Sequence, residues 1–474
     1  MAVEQHISKA VAVKNSMWKL LESFGSKGIS MVVTIILARI LTPEDYGIIA
    51  MTAVFTNLTD ILIQGGFSTA LIRKEKLNDS DYSTVFVISL LCATVLYAII
   101  FAFAPAIAAF YNTPILSSVL RVMSLVLFCQ AFAAVRTAVV SREMKFKVLL
   151  YCTLISNVVS GTVGIILAYM GFGVWALVVQ QCMQQVLLTV ILYVSVKIKV
   201  SLKISKQSVK EILPFSLKVL LSSLLSFIGD SLYSISIGKM YSMRELGLYD
   251  KGGQFPRQFS LYTFSAVSNV FLPVFSSYTD DYDKLNAVFQ RVLTVSCYVI
   301  MPLMAGLCMT AKPFIILLLT EKWLPCVEIL RWSCLYYMAT PILLTNVQLH
   351  FAIGKGETRI KVELLRIALM VGALVFFLNV KMPIVYIVAC LSFIQIITSA
   401  FIFWETKKAT GYRIKNFFSG IKATAVATGG MCVCIYAISL VNISNVFVLF
   451  ICEVAVGMLS YWLLSVVLHS EGYK

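Results

Sequence analysis

Apolar runs long enough to cross a bilayer follow one another along almost the whole chain, with short polar stretches between them. A spanning helix needs about 20 mainly apolar residues. Fourteen stretches qualify: 18–41, 46–70, 83–110, 114–141, 146–170, 173–197, 211–238, 246–277, 284–311, 323–353, 358–380, 383–404, 420–441 and 445–468. The eighth is polar in its first half, and the tenth follows a short apolar run, Pro313–Leu319. The pattern predicts an all-α integral membrane protein of about 14 transmembrane helices. No segment between them is large enough for a soluble domain, so catalysis by a folded extramembrane domain is not expected.

Composition agrees with the pattern. Of 474 residues, 59% are hydrophobic and 13% charged, where a soluble domain carries about a quarter charged residues. The net charge of +16 raises the question of nucleic acid, but there is no long basic tract and no aromatic-basic interleaving. Excess Lys and Arg is the mark of cytoplasmic loops. With the N-terminus in the cytoplasm, 24 of the 39 bases fall on the cytoplasmic side and 7 on the other. Both termini then lie in the cytoplasm, and the helix number is even. Met1–Met17 has no apolar core of the signal-peptide kind, so the first apolar helix is expected to remain as an anchor. The 12 Cys sit mostly inside apolar runs, and the spacing of Cys432 and Cys434 fits no metal or redox motif. The three histidines, His6, His350 and His469, are far apart. No metal site and no cofactor is expected.

The chain also carries a faint repeat. Ala38-Arg39 through Thr42, Asp45 and Gly47 matches Gly238-Lys239 through Ser242, Glu245 and Gly247 at an offset of 200. Small residue, base, hydroxyl, acid and Gly coincide. Two six-helix halves are a known transporter plan, with the substrate site at their interface. The expected division is a cytoplasmic segment 1–17, an N-lobe 18–197, a cytoplasmic linker 198–210, a C-lobe 211–404, a loop with two further helices 405–468, and a cytoplasmic tail 469–474. The two lobes are expected to surround a central cavity, with two C-terminal helices appended.

Ionisable residues inside a bilayer are costly and usually face a bundle interior or an aqueous cavity. Helical spacing puts Ser23, Lys27, Ser30 and Thr34 on one stripe, and Thr52, Thr56, Asp60 and Gln64 on another. Lys218, Ser222, Ser226, Asp230 and Tyr233 form a third, and Asp250, Gln254, Arg257 and Gln258 a fourth. These belong to equivalent helices of the two halves, so a polar cavity lined by all four follows. The bland alternatives are a Lys27–Asp60 ion pair that fixes packing, and snorkelling of Arg39 and Lys239 from helix ends. Asp230 either pairs with a base or binds a coupling cation or proton. Glu363 and Arg366, at i and i+3, read as a local ion pair. Arg121, Arg136, Arg291, Arg331 and Glu453 receive no role. Bases slightly outnumber acids among the cavity groups, which favours an anionic substrate. A P-loop and Gly-x-Gly-x-x-Gly are absent, so ATP hydrolysis within the chain is not expected.

The run Ile36-Leu37-Ala38-Arg39-Ile40-Leu41-Thr42-Pro43-Glu44-Asp45-Tyr46-Gly47, followed by Gly65-Gly66-Phe67-Ser68-Thr69-Ala70-Leu71-Ile72, resembles the start of bacterial polysaccharide flippases. These are the Wzx-type O-antigen and exopolysaccharide exporters of the MOP superfamily, related to the MATE exporters. Gly173-Val174-Trp175-Ala176-Leu177, Leu246-Gly247-Leu248-Tyr249-Asp250, Phe271-Leu272-Pro273-Val274-Phe275-Ser276 and Ala352-Ile353-Gly354-Lys355-Gly356 extend the likeness over residues 15–410. Where family members often have Asn-Arg-Ala, this chain has Asp250-Lys251-Gly252.

The resemblance implies a two-lobed bundle opening alternately to each side. It implies a flippase for an undecaprenyl-pyrophosphate-linked oligosaccharide, moved from the cytoplasmic to the periplasmic leaflet of the bacterial inner membrane, in lipopolysaccharide, capsule or exopolysaccharide synthesis. Lys27, Arg257, Lys218, Arg39, Gln254 and Gln258 are the expected substrate-binding residues, with Asp60 and Asp230 as cavity acids or coupling groups. Membrane lipid, a coupling proton or sodium ion, and polysaccharide polymerase or synthesis proteins are the expected partners, and nucleic acid is not. A MATE-like cation-coupled multidrug exporter is the alternative, disfavoured by the excess of bases. A membrane-embedded enzyme would need a large extracytoplasmic loop or clustered catalytic groups, and neither is present.

Overall fold

The fourteen apolar stretches are largely helical over their described residues in the computed structural model, though not each as one unbroken span. The structure describes residues 9–65, 71, 77–198, 201, 203–268, 271–279, 281–380, 382–441 and 443–468. No strand occurs among them. This follows from the bilayer, where backbone N–H and C=O groups must bond within the segment.

The helices are α1 (Lys9–Ile40), α2 (Pro43–Asp60), α3 (Asp79–Phe110), α4 (Ile115–Met123), α5 (Val126–Arg142), α6 (Phe146–Tyr169), α7 (Val174–Ser195), α8 (Lys206–Met240) and α9 (Met243–Ser268). There follow α10 (Phe271–Ser276), α11 (Tyr282–Met309), α12 (Ala311–Leu319), α13 (Cys326–Met338), α14 (Thr340–Ala352), α15 (Glu357–Val380), α16 (Ile384–Thr410), α17 (Ile414–Ser439) and α18 (Val446–Val467). Three expected single spans are each two helices. The stretch 114–141 bends between α4 and α5, where the Ser124 hydroxyl donates to the carbonyl of Arg121 at 2.9 Å. The stretch 246–277 divides into α9 and α10, and 323–353 breaks before Pro341, which suits only a first turn. Nine helical stretches among the described residues are long and apolar enough to cross a membrane. The polar α9 is not among them.

The chain divides into two units, Met1–Gly247 and Leu248–Lys474. In the first, α6 lies between α1 and α7, α3 runs beside α4 and α5, and α2 packs on α8. In the second, α11 packs on α13 and α17, α16 on α13, α14 and α15, and α18 on α17. Large apolar side chains point outward: Val95 is 57% exposed, Phe103 60% and Leu459 60%. Contiguous apolar surface on this scale is insoluble in water and matches lipid. The protein is an integral, multi-pass membrane protein.

The repeat has a structural counterpart. Thr42 caps α2, closed by Pro43 at the first helical position and a capping box with Asp45. At the equivalent point Ser242 Oγ accepts the backbone N–H of Glu245 at 3.2 Å, at the start of α9. The first turns of α2 and α9 cross at Gly47 and Gly247, where backbone meets backbone.

Candidate functional site

Lys27 lies half-buried on α1. Its turn is fixed from outside the helix: Asn157 Nδ2 on α6 donates to the Ser26 carbonyl at 3.1 Å, and Asn157 Oδ1 accepts from Gln184 Nε2 on α7 at 2.6 Å. This amide relay ties three helices together beside the lysine. Sequence reasoning weighed ionisable groups and missed it, although Gln180, Gln181, Gln184 and Gln185 within one apolar helix are a visible signal.

Asp60 is half-buried at the last position of α2, where the helix widens into a π turn, Ile61–Gly65. Such local widenings are frequent at functional sites. The rest of the expected stripe is turned inward. Thr52 Oγ1 donates to the Ile48 carbonyl at 2.8 Å, and Thr56 Oγ1 to the Thr52 carbonyl at 3.3 Å. These hydroxyls serve their own helix. On α8, Asp230 is exposed and Tyr233 buried. The side chains of Ser23, Gln64, Lys218, Ser222 and Ser226 lie outside the described residues.

Arg39 is exposed near the end of α1. Lys239, its repeat counterpart, donates from Nζ to the Phe110 carbonyl at 2.6 Å and lies 4.2 Å from the Phe110 ring centre. The lysine thus satisfies an otherwise orphaned carbonyl at the end of α3.

The polar stripe of α9 carries more than expected. Arg257 Nη2 is 3.8 Å from Asp250 Oδ1, two turns away, with half of the Arg257 side chain exposed. Gln254 and Gln258 are half-buried beside it. Lys251 sits in the third turn of α9 and is 3% exposed. Its Nζ donates to Gln254 Oε1 at 2.7 Å. The neighbouring Gly252 lets α9 press on α13: a Cβ there would be 2.7 Å from Ile329 Cγ2 and 3.1 Å from the Cys326 carbonyl oxygen. Close backbone approach is what buries the lysine. Asp250, Gln254 and Arg257 thus share one face of α9, and Lys251 reaches Gln254 from the buried side.

Other charged residues resolve into local roles. Glu363 and Arg366 form the expected ion pair, 2.5 Å from Oε1 to Nη2. Arg331 pairs with Glu328 at 2.6 Å, and Arg121 lies 4.4 Å from the Phe101 ring centre. Arg136, 5% exposed, lies 4.2 Å from the Tyr193 ring centre and donates to the Phe132 carbonyl at 3.2 Å. Glu453, 2% exposed, faces an apolar cavity of about 360 Å³ lined by Phe259, Pro302, Phe314, Phe450 and Tyr461.

The chain is thus a polytopic helical membrane protein with an amide relay in its first unit and a polar, charged face on α9. A family model described as "Polysaccharide biosynthesis protein" matches residues 36–328, and the chain belongs to that family. Among its relatives is the succinoglycan biosynthesis transport protein ExoT of Rhizobium meliloti (strain 1021), 23% identical over 317 residues. That alignment covers 67% of this chain and 64% of ExoT, just under two thirds of the relative's length. The fold is shared with a lipid II flippase, MurJ, in an inward closed conformation: TM-score 0.74 at 18% identity, covering 97% of this chain and 100% of that one. It is also shared with an inward-facing multidrug resistance MATE transporter of the MOP superfamily: TM-score 0.65 at 15% identity, covering 81% and 94%.

Proposed function

We propose that the protein is a flippase that carries a lipid-linked oligosaccharide across a bacterial inner membrane by alternating access, in the synthesis of a surface polysaccharide. The observation that carries this reading is membership of a polysaccharide biosynthesis family by a chain with nine helical stretches, among its described residues, long and apolar enough to cross a membrane. A chain of that architecture has little place for sugar chemistry in water, and moving the sugar is the step left to it. The similarity to a succinoglycan transport protein and the fold shared with a lipid II flippase support the same reading.

The anionic head of such a substrate, a pyrophosphate, needs cations. Lys27 and Arg257 lead, with Lys218, Arg39, Gln254 and Gln258, and Lys251 joins them on burial. Binding in one state and release in the other requires different affinity in the two states. Asp60 and Asp230 are the acids through which a proton or sodium ion would bias them. The excess of Lys and Arg on one side puts both termini in the cytoplasm, next to the enzymes that make and polymerise the glycan. The protein itself transfers no covalent bond.

The test is leaflet translocation of a short polyprenyl-pyrophosphate glycan in proteoliposomes, for the natural sequence, Lys27→Ala and Arg257→Ala. Loss of translocation in either folded variant supports the reading. Absence of translocation by the natural sequence, with proton-coupled efflux of an organic cation instead, establishes the multidrug exporter.

A further inference from the structure

A buried polar seam runs between α14 and α16 of the second unit. Asn346 and His350, 0% and 2% exposed, are one turn apart on α14, and Thr406 of α16, 0% exposed, reaches both. The hydrogen bonds fix the proton positions. Asn346 Nδ2 donates to the Ile342 carbonyl at 2.7 Å, so Oδ1 is the acceptor. The Thr406 hydroxyl donates to that Oδ1 at 2.6 Å. Thr406 then has only lone pairs for His350 Nε2, 3.1 Å away. Nε2 must carry the ring proton, and Nδ1 must carry a lone pair. Nδ1 is buried and has no hydrogen-bond partner among the described residues.

Four more atoms of these two helices share that condition: Thr340 Oγ1, Thr345 Oγ1, Gln395 Oε1 and Ser399 Oγ. On α16, Ser392, Gln395, Ser399, Thr406 and Thr410 fall at i, i+3, i+7, i+14 and i+18, one face of the helix, and all are buried. Its end near Thr406 faces α14, while at the other end Ser392 Oγ donates to the Trp332 carbonyl on α13 at 2.8 Å. Buried polar atoms without partners are costly in any interior and more so in lipid. Of these five atoms, the His350 imidazole nitrogen alone is basic enough to hold a proton. Burial opposes an imidazolium at His350; of the charged groups facing it, Glu405 on α16 attracts one, and Lys355 and Lys361 repel it. Lys361 on α15 is 3.9 Å from Glu405.

We propose that His350 is a proton-binding site of the transport cycle, taking up its proton at Nδ1. The proton comes from water at one membrane face and leaves to water at the other. In between, the imidazolium competes with Lys361 for Glu405, so protonation loosens α15 from α16. The coupling role rests on the flippase reading; proton binding at His350 does not.

The histidine content makes the site directly observable. His6→Gln with His469→Gln leaves His350 as the one imidazole, and its ring nitrogens can be followed by 15N NMR of the full chain in nanodiscs. The expected result is a neutral Nε2–H tautomer at about pH 8 that becomes imidazolium on acidification. In proteoliposomes with an imposed pH gradient, translocation by the natural sequence should change severalfold. His350→Gln keeps a donor to Thr406 but cannot take a proton, and its rate should ignore the gradient. An Nδ1–H tautomer, a ring neutral throughout, or a His350→Gln rate that follows the gradient as the natural sequence does overturns the proposal. If the natural sequence moves no glycolipid, the flippase reading fails and the NMR titration alone decides the proton site.

Discussion

Gly47 and Gly247 each lie against the first turn of the other's helix. A Cβ on Gly47 would sit 1.6 Å from the Met243 carbonyl oxygen, and one on Gly247 would sit 1.9 Å from the Pro43 carbonyl oxygen. Met243 is to Gly247 what Pro43 is to Gly47, so the contact is reciprocal, as a local two-fold requires. Both obstacles are backbone, which cannot rotate aside. Gly47→Ala and Gly247→Ala should each cost at least the upper end of the about 1–3 kcal/mol typical of overpacking. Gly28→Ala on α1, where nothing lies within 4 Å, should be neutral or stabilising by up to about 1 kcal/mol. Thermal unfolding in detergent ranks the three, and equal stability of all three would refute the crossing.

The two caps beside that crossing should be worth similar amounts. Thr42→Ala removes the capping box of α2, and Ser242→Ala removes the Oγ that accepts from Glu245 N–H. Each should lower stability by about 1 kcal/mol, with Thr42→Ser restoring most of the loss. Chemical denaturation midpoints at constant slope measure the effect.

Lys251 should separate stability from transport. Its ammonium is buried, and an apolar replacement of similar length removes a desolvation cost. Lys251→Met is expected to fold with unchanged or higher thermal stability, yet to lose translocation by about tenfold, equivalent to about 1.4 kcal/mol of lost transition-state binding. Lys251→Arg should retain part of the rate. Full activity of Lys251→Met would remove this residue from the substrate path.

The Glu363–Arg366 pair on α15 has side chains only 19% and 12% exposed. Breaking a buried pair leaves one charge uncompensated, at about 3–5 kcal/mol, while removing both charges is often neutral. Glu363→Gln and Arg366→Met should each destabilise near the lower end of that range. The double variant should recover most of the loss. A double-mutant cycle in thermal stability reads the coupling directly.

Glu453 should behave as a liability of the fold. Its Oε2 is buried without a hydrogen-bond partner among the described residues, facing an apolar cavity of about 360 Å³. Glu453→Met replaces that carboxyl by a flexible apolar chain and should raise stability by about 1–3 kcal/mol. A loss of stability would show that the carboxyl is held by something the cavity view omits.

Much of the molecule is legible along the chain. The apolar stretches are largely helical over their described residues, and the Glu363–Arg366 pair follows from helical spacing alone. The Thr42 and Ser242 starts are visible as a hydroxyl followed three residues later by an acid. The breaks within three stretches were less visible, because a bend inside an apolar run changes neither its length nor its hydropathy. Site residues fared unevenly. The α9 stripe assembles as spacing predicts, but its most buried base is Lys251, which burial against α13 selects. The threonines of α2 share a face, yet their hydroxyls return to their own helix.

The sequence by itself determined the class, the helices and the family. In lipid each segment must satisfy its own backbone, so secondary structure is a local property of composition and period. Only the tertiary structure decided which polar atoms meet. Asn346 and Thr406 are 60 positions apart, and Asn157 lies 131 positions from Ser26. Those encounters depend on how helices pack, through small residues and side-chain hydrogen bonds. Hydropathy along the chain carries no trace of which partner a buried polar group will find.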